Sequence, residues 1–198
     1  MVHVGERSFY EKAYDEAFCH DVTLVEGVRS PVSQHLTRSY RWLNFEKLGL
    51  TLQPKPPAKE AVSSRIVRAD LSADEFHREW RKIFLPLRAF FFVLAPIVGI
   101  ERRLFASRET LGQKMSLEDR KSADEILSWS PKMEPFHHSV LHARDERLLE
   151  CLGAELDVTD AKRVAVVYGA MHIRSGIREL GKRGFYCADA SWQTIFSF

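Results

Sequence analysis

The sequence predicts an α/β fold: a mixed, largely parallel central sheet flanked by helices, with an all-helical insertion between the two halves of the sheet. Three observations predict it. Val164 to Val167 is a short apolar run rich in β-branched residues, suited to a strand buried on both faces, and a helical pattern (Ile173, Ile177, Leu180) follows it. A strand, helix, strand order opens the chain, which implies a parallel pair. Between these ends, from Ala73 to about Leu152, only helical spacing is visible.

Taken in order, Val2 to Val4 reads as the tail of a strand, broken at Gly5. A helix follows, with Ser8 and Glu11 in capping-box spacing and Tyr10, Ala13, Tyr14 and Ala17 on one face. Asp21 to Gly27 (DVTLVEG) is the second strand, and Glu26 stands at its end. Order alone then places His3 and Glu26 at one edge of adjacent strands. Ser33 to Leu48 has the apolar spacing of a helix, Leu50 to Gln53 is briefly extended, and Pro54 to Ser64 is a proline-rich loop. Arg65 to Asp70 (RIVRAD) is a further short strand. Ser72 and Glu75 cap the helix that begins near Ala73.

Within the helical block, Glu118 to Trp129 forms one helix, stopped by Pro131, and Phe136 to Leu152 another. The most apolar window, Ile83 to Ile100, is interrupted by Pro86, Arg88 and Pro96 and barely reaches spanning length. It is read as a buried or homodimer-forming helix, with a membrane-touching surface as the alternative. Arg144 falls on the apolar stripe of Leu141, Leu148 and Leu152. It must therefore snorkel to water or meet an anion. Ser191 to Phe198 is expected as an edge strand. At 198 residues the whole chain, 1–198, is read as one domain, with sheet from about 1–70 and 160–198 and the insertion over about 73–152.

Composition narrows the function. A net charge of +2, with no basic run interleaved with aromatics, argues against nucleic acid. Three scattered cysteines without CxxC spacing exclude a four-cysteine zinc site and fit a reducing compartment, so a cytoplasmic location is expected. No apolar leader follows Met1. The sequence holds no GxSxG, no GxGxxG and no phosphate loop of the GxxxxGK type, so serine-hydrolase and nucleotide-dependent readings have no footing. His138 and His142, four apart on one helix, could share an ion but lack the glutamate of HExxH and a third ligand.

The constellation left standing is His3 after one strand, Glu26 after the next, His172 after a third, and Arg144 from a nearby helix. Two imidazoles and a carboxylate suit a divalent metal ion with open positions and an activated water. Glu26 could instead serve as general base on that water, and the arginine could hold a carboxylate or a developing oxyanion.

The order of these pieces resembles the TraB/PrgY/GumN/Tiki family, within the wider erythromycin-esterase and ChaN-like superfamily. Gly169-Ala170-Met171-His172 is similar to the second of the family's two GxxH motifs, with Gly176 and Gly184 in its continuation. Leu24-Val25-Glu26-Gly27 resembles the glutamate motif, and Ala143-Arg144-Asp145 the arginine motif, with alanine where glutamate is common. Leu48-Gly49-Leu50…Gln53 and Ala69-Asp70-Leu71-Ser72 resemble intermediate signposts. The first GxxH would need glycine three residues before His3, so the first strand looks clipped. The resemblance implies a metal-dependent, peptidase-like hydrolase acting on a peptide or ester bond of a peptide or small-molecule substrate. Catalysis would then rest on Glu26, Arg144 and His172, with His3, Glu26 and His172 as metal ligands. It also implies the alternatives of a non-catalytic, pheromone-inhibitor-like binding protein or of haem contact through Tyr168 and His172.

Overall fold

The computed structural model describes residues 2–58, 61–115, 134–158 and 163–197. The centre is a three-stranded parallel sheet in which β2 (Val22–Val25) lies between β4 (Arg65–Arg68) and β5 (Val164–Val167). Val25 is level with Arg68 on one side and Val167 on the other, so all three strands end together. All four β2 residues are buried, as its apolar composition demands. Alternation splits them between two faces. Leu24 and Val22 pack with Ala69, Tyr168, Leu148 and Leu152. Val25 packs with Tyr14 and Phe18 of α1 (Arg7–Phe18) on the opposite side. Thr23 points the same way as Val25, and its buried hydroxyl donates to the Ala17 carbonyl at 2.9 Å and bonds the Ser64 hydroxyl at 2.7 Å.

The expected pairing of the first two strands does not occur. β1 (Val4–Gly5) instead pairs antiparallel with β3 (Thr51–Leu52), in a separate two-stranded sheet. The reason is competition: β4 and β5 occupy both edges of β2, and Val4 buries itself with Leu43, Leu48 and Leu50. Residues 191–197 form no strand either. Ile195 nevertheless accepts the Glu6 amide at 3.0 Å, tying this segment to the small sheet.

The helix read over Ser33 to Leu48 is three pieces: α2 (Pro31–Leu36), a 3₁₀ turn (Thr37–Trp42) and α3 (Phe45–Leu48). Ser30 and Asn44 each cap a piece, and Leu43 between them is extended. The Ser72–Glu75 capping box of α4 (Ala73–Arg81) forms as expected, whereas α1 starts at Glu6 without a side-chain cap. Every described element between β4 and β5 is helical. These are α4, α5 (Leu85–Phe105), α6 (Arg108–Met115) and α7 (Glu134–His137), which runs through a π-helical turn (His138–His142) into α8 (Ala143–Val158). The helix expected over Glu118 to Trp129 lies outside the described residues. α9 (Ile173–Lys182) follows β5.

α5 is not buried. Only Ala95 and Gly99 are enclosed, and Gly99 must be glycine because a Cβ there would stand 2.9 Å from the Trp42 ring. Its outer face presents Phe90, Val93, Ile97, Ile100 and Leu104 to solvent. Among the described residues no single helix is long and apolar enough to cross a membrane, although α4 and α5, bent by 119°, pass that test as a pair.

Leu24, with 0% exposure at the centre of the sheet, should therefore be the residue on which stability turns. Leu24→Ala is expected to cost about 3 kcal/mol in urea denaturation, whereas Val166→Ala, level with Leu24 but 43% exposed on the edge strand β5, should cost under ~1 kcal/mol.

Candidate functional site

The common end of the three parallel strands is where chemistry-bearing side chains collect, as expected of an open α/β edge. Glu26 follows β2, Asp70 follows β4, and Tyr168 and Gly169 follow β5. The ladder continues one step beyond the strands, since the Glu26 amide donates to Val167 and the Ala69 amide to Val25. That fixes the two carboxylates against each other before any side chain reaches them.

Arg144 reaches them from α8. Its Nε and Nη2 donate to the two oxygens of Asp70 at 3.0 and 2.7 Å, a bidentate fork, and Nη2 also donates to Glu26 Oε1 at 2.6 Å. The inward, anion-meeting arginine of the sequence reading is what forms. Its Nη1 has only a 3.5 Å contact with the Val140 carbonyl. Burial works to lower the Arg144 pKa, but the bond and charge of Asp70, with the charge of Glu26, outweigh it and raise the pKa above its ordinary value. The guanidinium stays charged at any working pH.

Asp70 is the anchor. Its side chain is 1% exposed, and it also accepts the amides of Gly27 and Leu71, both at 2.9 Å, so four donors saturate its oxygens. Glu26 is held from its other side by the Gly169 amide, 2.5 Å from Oε2. A Cβ at position 169 would stand 3.1 Å from that oxygen and 3.4 Å from His172 Cδ2, so glycine is what allows the carboxylate to sit there. Tyr168 closes the floor: its hydroxyl donates to the Ala69 carbonyl at 3.0 Å, and burial foremost, then the charge of Asp70, raises its pKa.

His172 lies in the turn after β5, buried, with its ring edge-on to Tyr168 at 4.9 Å. Its Nδ1 faces Asp145 Oδ1 at 2.5 Å, and Ser175 of α9 donates to Oδ2 of the same carboxylate at 2.5 Å. If Nδ1 carries the proton, Nε2 has its lone pair available for a water proton or an ion.

His3 stays further out. Its ring packs against Tyr40 at 4.9 Å and is exposed, yet the protein on its inner side strips enough water to lower its pKa below 6.5. Glu26 opposes that shift and Arg144 reinforces it, so His3 lies in the field of the cluster. Glu26, Arg144 and His172 are thus brought together near Gly169, whereas His3 lies outside this group and feels only its charge. Among the described residues no three histidine, cysteine, aspartate or glutamate side chains stand where they could hold a metal ion together. His138 turns toward Glu79, 3.3 Å away, and its ring lies 6.2 Å from that of His142.

Asp70, Asp145 and Ser175 were given no role by the sequence reading. A signal for Asp70 was present: RIVRAD and DVTLVEG are parallel strands, each ending in a carboxylate. Comparison with protein-family models, curated protein sequences and solved structures returned no match.

Asp70→Asn would turn an acceptor into a donor among donors and leave Arg144 undercompensated. A loss of about 3 kcal/mol is expected in chemical denaturation. The His3 ring, followed by NMR, should titrate below pH 6.5. Its midpoint should fall further in Glu26→Gln and rise in Arg144→Met. Because its folded pKa is the lower one, its contribution to stability is complete above pH 6.5 and is lost as pH falls from 6.5 through the folded value.

Proposed function

We propose that the chain is a TraB/Tiki-like hydrolase of peptide or ester bonds, working at the shared end of the parallel strands. The observation that carries this reading is the buried His172–Asp145 pair set beside a glutamate that Arg144 and the Gly169 amide hold in place. A histidine oriented by a carboxylate is a competent general base, because the carboxylate fixes the tautomer and stabilises the imidazolium that forms.

In this reading a water between His172 Nε2 and Glu26 attacks the substrate carbonyl. His172 takes the water proton and Asp145 stabilises the resulting charge. Ser175, which donates to Asp145, keeps that carboxylate turned toward the ring. Arg144 fixes Glu26, and its Nη1, with one long contact, is the donor with capacity left for a developing oxyanion. His172 then returns the proton to the leaving group.

The divalent ion that the resemblance implies would polarise the carbonyl and acidify water. His172, backed by Asp145, is arranged as metal-bound histidines are, and Glu26 and His3 would complete the set. The described residues hold no such three-ligand group ready-made, so the steps above are written through the chain's own groups.

A second reading, a binding protein without turnover, is favoured by one fact: both Glu26 oxygens are already engaged. Haem contact has less support, since the Tyr168 hydroxyl is already engaged with the Ala69 carbonyl.

Turnover should be measured on ester and peptide probes together with elemental analysis. His172→Ala and Glu26→Gln are each expected to lower kcat/KM by at least ~100-fold, and Asp145→Asn by a smaller factor with a shifted pH profile. Undiminished turnover in His172→Ala would defeat the hydrolase reading. Stoichiometric metal in the wild type that disappears in His172→Ala would add the ion to it.

A further inference from the structure

Glu26 has a second side. Away from Arg144, on the α1 face of the sheet edge, opens a cavity of about 500 Å³ whose lining includes Glu26, Gly27, Pro56, Arg29, Lys55 and Arg68. Three of these are cations. Several basic residues elsewhere meet an acid: Arg65 with Glu155, Arg108 with Glu6, Arg147 with Glu150, Arg183 with Asp157. None of Arg29, Lys55 and Arg68 has an acidic partner among the described residues. Arg65 and Arg68 begin and end the same strand, yet only the one remote from the cavity is paired. Loss of water around Arg68, and then repulsion from Arg29, lower the Arg68 pKa, which places two guanidiniums within each other's field. Unpaired surface cations are common in a chain with 29 basic and 27 acidic residues; what sets these three apart is that they gather at one cavity, where like charge attracts an anion from outside.

We propose that this cavity binds an anionic group of the ligand, a carboxylate or a phosphoryl group, beside the reacting bond. The proposal rests on the hydrolase reading only for the words "reacting bond"; the anion site stands on the cavity and its cations. Guanidinium forks suit both oxyanions, and Lys55 adds a mobile point charge.

The test measures binding, not turnover. Inorganic phosphate and an N-acetylated tripeptide with a free carboxylate are titrated against the protein by calorimetry, and the corresponding tripeptide amide serves as the uncharged control. One or both anions should bind, the amide at least ~10-fold more weakly than the acid, and affinity should fall as salt is raised. Preference between the two anions names the source. The double variant Arg29→Gln/Arg68→Gln should weaken binding at least ~10-fold, Lys55→Gln less, and Arg174→Gln on α9 not at all. His172→Ala should bind as the wild type does, which separates failure of this proposal from failure of the hydrolase reading. Absence of anion binding by the wild type, or equal binding by the double variant, would overturn it.

A second observation stands independently. The exposed stripe of α5 recurs at intervals of three, four, three and four residues, from Phe90 to Leu104, the spacing of a heptad seam. We infer that a second copy of this chain covers it. Each stripe residue is more than half exposed, so five of them offer roughly 100 Å² apiece. Two copies would bury on the order of 1,000 Å², the lower bound of a specific interface. Sedimentation should give twice the monomer mass at about 50 μM, and Val93→Glu/Ile97→Glu should give the monomer with unchanged circular dichroism. A monomeric wild type, a dimer indifferent to the double variant, or recovery of the wild type with lipid vesicles in place of a dimer would each overturn the assignment.

Discussion

A single guanidinium holds the carboxyl-end edge of the parallel sheet together. Arg144 leaves α8 and meets two carboxylates that end adjacent parallel strands, giving both acids one shared opposite charge. Such a cluster contributes little net stability, because the desolvation of three charges offsets most of their attraction. What it contributes is geometry. Asp70 is saturated by four donors and does not move, so Arg144 is fixed, and Glu26 is fixed through Arg144. The helix that delivers the arginine also seals the sheet, since Leu148 and Leu152, one and two turns further on, pack against Leu24.

Neighbouring positions on α8 extend that constraint to the third strand. Consecutive helical side chains diverge by about 100°. Arg144 therefore reaches the ends of β2 and β4, while Asp145 turns toward the β5 end and meets His172 and Ser175. One pair of residues on one turn thus locks the carboxyl ends of all three strands. The π-helical turn immediately before it, His138–His142, sets the rotation with which α8 arrives; such widened turns commonly accompany functional residues.

How much of this could be read from the chain follows from range. The three parallel strands were legible as short β-branched runs, but only β2 is buried on both faces: β5, expected to be so, is an edge strand with Val166 exposed, and β4 (RIVR) is exposed at both ends. The Ser72–Glu75 cap was legible because its chemistry is local. Arg144 was legible as a charge on an apolar stripe, which must find an anion somewhere. The partner of β1 was not legible. A two-residue strand carries too little pattern to choose among edges, and the choice was made by Val4 packing with Leu43, Leu48 and Leu50. The outward face of α5 was not legible either: the helix is apolar almost all round, and a pattern without a polar side does not say which face is covered. Asp145 remained without a role for a different reason. Its partner is 27 residues away on another helix turn, and nothing in either local sequence announces the contact.

The two sides of Glu26 are best understood together. On the α8 side the cluster of Glu26, Asp70 and Arg144 carries one excess negative charge; on the α1 side Arg29, Lys55 and Arg68 have no acidic partner among the described residues. A bare carboxylate at position 26 would repel an anionic ligand from a cavity it lines. With Arg144 bonded to its Oε1 and the Gly169 amide to its Oε2, part of that field is offset at source, and the cavity's three cations outweigh the remainder. The same clamp that orients Glu26 toward His172 therefore allows a negative ligand to approach it from the opposite face. Cations on one wall, with the clamped glutamate and a buried histidine beyond it, would hold a ligand by its charged end and present the adjacent bond to the base.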